Sequence, residues 1–327
     1  MAASRADEAE RAAVAYNIAL NKIGATTVQE AIKLWGRMPT AQTRAVSAAW
    51  LNQALKLIST QRGRSRELAL AYYRLVRALR TGKTVADPYH PIPSHVTLAD
   101  LRREFATLAG QEDDDQGGGD TRVEVEKLPG LGSAMDRIER ASVAEARDSL
   151  INLGPRNYVD KIKAVDTSKP AVGVDAARET AHKEAGNRQA ASAARLAMNG
   201  ARSTVWVAHE QDGRAIGYVR LSRTGTPCGF CAMLISRGAA YKSERAATYA
   251  DGDLFHDNCM CYAEPVFSKD QFGSGDLYAL NRQYSEQWPE VTKGLSGRAA
   301  LSAWRRFIRQ EQKASAQAAR SASVQEA

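Results

Sequence analysis

Residues 227–266 read PCGFCAMLISRGAAYKSERAATYADGDLFHDNCMCYAEPV, and they hold all four cysteines of the chain: Cys228, Cys231, Cys259 and Cys261. His256 lies three residues before Cys259, so the pattern is C-x-x-C, a spacer, then H-x-x-C-x-C. A C-x-x-C on a tight turn aims two sulfurs at one point. Cys259 and Cys261 are two apart, so in an extended segment they share a face. Asp257-Asn258 suits a turn that brings His256 to the same point. Around this knot the sequence predicts strands at Ala215–Leu221 and Tyr262–Phe267. A turn at Thr224–Pro227 and a short helix at Ala232–Ile235, stopped near Gly238, lie between them.

Four chemistries fit these five side chains. The first is a structural zinc site, in which Cys228, Cys231 and Cys261 join either Cys259 or His256 in a tetrahedral set. The second is a pair of disulfides, which a reducing cell interior opposes but a particle that leaves the cell permits. The third is a nucleophilic thiolate activated by His256, for which four clustered cysteines are more than the chemistry needs. The fourth is a buried cluster without bonds.

The stretch AIGYVRLSRTGTPCGFCAMLISRGAAYKS, with FHDNCMCYAEPVF after it, resembles the head-morphogenesis domain of the phage Mu protein F family. It is similar in particular to minor capsid proteins of tailed actinobacterial phages, a group often labelled capsid maturation protease. The matching positions are Cys228, Cys231, His256, Cys259 and Cys261. RELALAYYRLVRALRTGKTV and TKGLSGRAALSAWRRFIR resemble the same group. The resemblance implies a minor head protein that acts in capsid assembly near the portal. Its partners would be portal, scaffold or major capsid proteins, and packaged DNA. It would be made in the host cytoplasm and carried in the virion.

The remaining sequence is expected to be helical. The chain has 327 residues, enough for about two domains. Aromatic residues are only 7% and alanine is abundant, which favours helices over a large sheet. The fold expected is mainly α, with a small α+β cysteine-rich module. No apolar run approaches the length needed to cross a bilayer, and residues 1–16 lack a signal-peptide core. A net charge of +8 suits contact with nucleic acid or an acidic surface.

Apolar spacing predicts a helix from Arg5 to Gly24, then one capped by Thr27 and Glu30 and ended at Gly36 and Pro39. Two more follow, at Ala41–Thr60 and Ser65–Thr81, with Gly63 and Gly82 as breaks. Trp35, Trp50 and Tyr72 are read as core. Arg62, Arg64, Arg66, Arg74, Arg77, Arg80 and Lys83 are read as a solvated face, in preference to a phosphate-binding stripe formed by an exposed row of Arg66, Arg77 and Arg80. Residues 87–95 form a proline-rich linker whose histidines, His90 and His95, are surface residues. Thr97–Asp100 caps a short helix to about Leu108. Glu112–Asp120 is a disordered acidic loop, and Arg122–Glu126 a strand.

Ser133–Leu153 is a helix closed by Gly154-Pro155. Asp175 to about Val207 is a long alanine-rich helix or helix pair expected to lie against a neighbour, with His182 on its polar face and His209 in the loop beyond. Asp276 opens a helix that runs to Pro289. A last helix starts near Ser296, with Ala299, Leu301, Trp304 and Ile308 inward and Arg298, Arg305, Arg306, Arg309 and Lys313 outward. Those five cations are the candidate nucleic-acid contacts. The tail from Ala314 is expected to fray.

This organisation divides the chain into a helical bundle (1–86), a linker with a short helix and acidic loop (87–130), long helices (131–212), the cysteine module (213–270) and basic C-terminal helices (271–327). Three functions follow: a non-catalytic assembly protein stapled by its Cys/His cluster, a maturation protease, or a DNA-binding internal head protein. The protease lacks a recognisable motif: there is no G-x-S-x-G, no H-E-x-x-H and no histidine beside a serine nucleophile. Outside the cysteine cluster no catalytic residue can be assigned, and no small-molecule substrate or membrane is expected.

Overall fold

The computed structural model describes residues 4–38, 44–90, 94–111, 121–222, 227–238 and 255–325; side chains are described except at 44–46 and 319–325. The turn at Thr224–Thr226, the acidic loop at Glu112–Asp120, the prolines Pro91 and Pro93, and Asp251 and Asp253 lie outside these residues.

Helices dominate, as expected. α1 (Arg5–Gly36) is opened by a capping box between Ser4 and Asp7. It runs straight through the break expected at Gly24. That glycine lies against Met198, whose sulfur would be 2.6 Å from an added Cβ. Thr27 is not a cap either: its hydroxyl donates to the Ile23 carbonyl inside the same helix, 2.7 Å away. α2 (Arg44–Thr81) likewise passes through Gly63 and merges two expected helices into one of about 57 Å. The backbone at both glycines stays right-handed, so neither one stops the helix.

β1 (Lys83–Val85), β2 (His95–Thr97) and β3 (Arg122–Glu126) form a small sheet in the order β1-β3-β2. β1 runs parallel to β3 (Lys83 opposite Glu124) and β2 antiparallel (His95 opposite Glu124). α3 (Leu98–Ala109) carries the expected Thr97–Asp100 box and ends at left-handed Gly110. α4 (Leu131–Ile151) does not stop at Gly154-Pro155. A π-helical turn, Asn152–Arg156, carries it into α5 (Asn157–Lys163), with Gly154 packed against Trp35 and Trp50.

α6 (Ala171–Gln211) is the axis of the molecule and packs against α1, α2 and α4. Small residues allow this. An added Cβ at Gly186 would lie 2.5 Å from Trp35 Cδ1, and one at Gly200 would lie 2.6 Å from the Arg62 carbonyl oxygen. The helix read as lying on a neighbour is therefore the centre of this chain's own core. His182 stacks on Trp35 and meets Tyr158 edge-on, instead of facing solvent. His209 is buried within α6 beside Tyr218, and burial pulls its pKa down to about 4.

β4 (Gly217–Leu221) and β5 (Tyr262–Val266) pair antiparallel, from Gly217–Val266 to Leu221–Tyr262, and are fully buried. Between them comes α7 (Gly229–Ile235). α8 (Lys269–Ser274) and a 3-10 turn at Asp276–Tyr278 lead to α9 (Ala279–Val291), which keeps Pro289 inside its last turn rather than ending before it. α10 (Gly297–Gln325) closes the described chain. One apolar core runs from Tyr16 and Tyr72 through Val205 to Leu234, Cys231, Cys259, Cys261, Trp304 and Ile308. A second surrounds Trp35, Trp50, Leu150 and Tyr158.

Arg62, Arg74 and Arg77 overturn the expected solvated face, whereas Arg64 is exposed as expected. Arg62 binds Glu139 at 2.9 Å and the Leu196 carbonyl at 3.0 Å. Arg74 pairs with Glu104 and donates to the Val85 carbonyl. Arg77, 1% exposed, pairs with Asp212 at 2.6 Å and with Glu126. A guanidinium spans several acceptors at once, so buried arginines can tie elements together where lysines could not. Here they join α2 to α3, α4, β3 and the end of α6. Among the described residues, no helix is long and apolar enough to cross a membrane.

Candidate metal centre

Two segments deliver the five Cys/His side chains. Cys228 caps α7, and its sulfur accepts from the Cys231 amide at 3.4 Å. One helical turn then sets Cys231 beside it. The second segment turns at Asp257-Asn258: Asn258 takes a left-handed conformation (φ 61°), which asparagine tolerates, and the Cys259 amide donates to the His256 carbonyl at 3.1 Å. The chain then extends into β5, so Cys259 and Cys261 point inward while Met260 between them is exposed.

His256 Nε2 lies 3.0 Å from Cys228 Sγ and 3.6 Å from Cys231 Sγ, and Cys231 Sγ lies 3.5 Å from Cys259 Sγ. The donors fall into two groups, Cys228–Cys231–His256 and Cys231–Cys259–Cys261, each with its ligand atoms within 4.8 Å of one another. Cys231 belongs to both. None of the four cysteines is joined in a disulfide, and the 3.5 Å sulfur separation is well beyond a disulfide bond of about 2.05 Å. It is near the edge of about 3.8 Å that a tetrahedron of sulfurs 2.3 Å from one ion requires. His256 Nδ1 lies 2.6 Å from the Asp257 carbonyl, which draws its proton there and leaves Nε2 as the electron-pair donor facing the sulfurs. The residues therefore fit a metal ion held by thiolates and imidazole.

With no ion among them, Cys228 and His256 form a thiolate–imidazolium pair, and a metal would have to displace the imidazole proton from Nε2. Hydrogen bonding from Cys231 holds the Cys228 thiol down at about 3, with the His256 contact adding to it. Hydrogen bonding to Cys228 raises His256 to about 10, with Cys259 adding to it. Cys231 is pushed strongly up by hydrogen bonding to Cys228, Cys259 and Cys261 and by burial. Crowded sulfurs cannot all ionise without a cation among them.

Two buried arginines lie behind the cluster. Arg202 Nη2 donates to the Cys259 carbonyl at 2.6 Å and the Cys261 carbonyl at 2.9 Å, and Arg202 Nε to the latter at 3.1 Å. Arg220 Nη1 approaches Cys231 Sγ at 3.8 Å. The two guanidiniums sit over the Phe255 ring, at 4.0 and 3.8 Å from its centroid. Arg195 bridges Asp257 and Glu145 at 2.8 and 2.7 Å. α6 thus holds the ligand loop through Arg195 and Arg202. Sequence reading missed all three arginines. The one available signal was Arg202 itself, a long cation inside the run Asn199–Thr204, where every neighbour is small or polar.

The five cations of α10 are exposed, as expected. Arg305 and Arg309 border a groove of about 450 Å³ with Cys228, Phe230, His256 and Gln312; Arg298, Arg306 and Lys313 do not.

Residues 162–287, which span α6, the β4–β5 pair, α7 and all five Cys/His donors, match the model of a phage protein family described as VG15 protein. No curated protein and no solved structure matches the chain. The core of this mainly helical protein, with its Cys/His centre, is thus similar to a phage family.

Proposed function

We propose that the protein is a minor head protein of a tailed phage, non-catalytic, acting in capsid assembly near the portal, with zinc bound at the Cys/His centre as a structural staple. The carrying observation is the place of the donors: Cys231, Cys259 and Cys261 are buried in the same core as α1, α2, α6 and α10. A bond network there ties the ends of β4 and β5 to the helices and leaves their outer faces to partners. Zinc would supply the cross-link, and thiolate with imidazole is its usual donor set. The phage-family match over residues 162–287 supports the setting. Portal, scaffold and major capsid proteins are the partners proposed, in the host cytoplasm and then in the virion.

The test replaces Cys231 and Cys259 by serine in the phage and scores particles and head-protein cleavage separately. The assembly reading expects few or malformed shells, and one zinc per chain in the purified parent. Normal shells with uncleaved head protein would instead identify a protease.

A further inference from the structure

We infer that the outer face of α10, together with the groove beneath it, binds the phosphodiester backbone of nucleic acid. The groove borders the donor site at Cys228 and His256 while the cationic face of α10 lies outside it, and the inference stands whether or not the assembly reading holds.

Three observations carry it. The first is pairing. The buried arginines described above are matched to acids, carbonyls or, for Arg220, a cysteine sulfur, whereas Arg298, Arg305, Arg306, Arg309 and Lys313 are exposed and make no ion pair among the described residues. The second is geometry. At about 100° per residue, these five fall within roughly a 100° arc of α10, opposite the arc that carries buried Ala300, Trp304 and Ile308. Arg305, Arg309 and Lys313 follow one another at i, i+4 and i+8, about 6 Å apart along the axis. The one described acid of the helix from Gly297 to Ala318, Glu311, lies outside that arc.

The third is the groove. Arg305 and Arg309 form one wall and Phe230 and Cys228 the other, over about 450 Å³. Gln312 is tied to the Pro227 carbonyl at 2.8 Å, which fixes α10 against the loop before Cys228. Gly229 permits the approach, because an added Cβ would lie 3.0 Å from Arg305 Cα. The cations are therefore presented from a fixed helix.

A row of unpaired cations on a rigid helix binds repeating phosphates by displacing their counterions, which needs no base reading. The net charge of +8 adds long-range attraction of the same sign.

The test titrates the full chain into a fluorescent 20-base-pair DNA duplex of arbitrary sequence at several salt concentrations. Polyglutamate of equal charge serves as a competitor. The variant is R305Q/R309Q/K313Q, and the charge-matched control is K56Q/R147Q/R188Q, three exposed cations on other helices. Circular dichroism and melting confirm that both fold. The parent should bind with a log–log salt slope that falls by about 2–3 in the α10 variant, and the variant's low-salt affinity should drop at least about tenfold. The control should change less than about twofold. Equal losses in both triple variants, an unchanged slope, no binding by the parent at low salt, or polyglutamate binding as tightly as DNA would each overturn the inference; the last would assign the face to an acidic protein.

Discussion

Replacing Arg202 by methionine tests whether α6 positions the cysteine loop. Methionine nearly preserves side-chain length and packing but deletes the guanidinium. Three charge-assisted contacts to the Cys259 and Cys261 carbonyls disappear, with one to Asn199 Oδ1 at 3.1 Å and the stack on Phe255. Each charged hydrogen bond contributes about 1.5–3 kcal/mol, and a desolvated stack up to about 2 kcal/mol. Against this stands the cost of burying the cation, several kcal/mol, which the variant recovers. Burial already pulls the guanidinium pKa down despite the neighbouring Cys259 and Cys261 sulfurs, which is that cost made visible. Two carbonyls are left without their donor, so the net loss is expected near 3 kcal/mol, about 150-fold in the folding equilibrium. Urea unfolding followed by tryptophan fluorescence reads it directly. Arg202→Lys should recover only part, because one ammonium cannot fork across both carbonyls. If Arg202→Met unfolds at the parent's midpoint, the loop is held by something else and the positioning argument fails.

Three further outcomes are expected. Gly63→Ala, with open space around the added carbon, should stabilise α2 by up to about 1 kcal/mol, whereas Gly200→Ala should destabilise, because its carbon meets the Arg62 backbone; thermal melts showing the same sign for both would contradict the α2–α6 contact. Burial raises the Glu264 carboxyl from its ordinary 4.5 to about 8, with Tyr72 donating to it. Its stabilising contribution is therefore complete below pH 4.5 and is lost as pH rises to about 8, on the order of 5 kcal/mol; Glu264→Gln should flatten that part of the stability–pH curve. Cys231→Ser should abolish metal retention, because both donor groups share that sulfur. Cys228→Ser should retain metal more weakly on the remaining four donors, and metal analysis after dialysis against a mild chelator ranks the two.

Much of this protein was legible in local sequence. Apolar spacing marked the helices, the Thr97–Asp100 box placed the start of α3, and the tryptophans announced the second core. The five metal-type donors were recognisable because short spacings confine each half of the set: two residues separate Cys228 from Cys231, and four separate His256 from Cys261. Such constraints act within a turn or two of chain, where bond geometry leaves few alternatives.

Other features depended on partners that no local pattern contains. Gly24 and Gly63 read as breaks, yet helices pass through both; at Gly24 the missing side chain admits Met198, 174 residues along the chain. Arg77 read as a solvated cation until Asp212 was brought beside it from 135 positions away. Arg202 became an anchor only when the segment leading into β5 placed two carbonyls over it. The periodicity of a helix states which way a side chain points, but not what it will meet. For a buried charge or a missing Cβ, what it meets decides the sign of its contribution, so tertiary packing alone assigned these residues their roles.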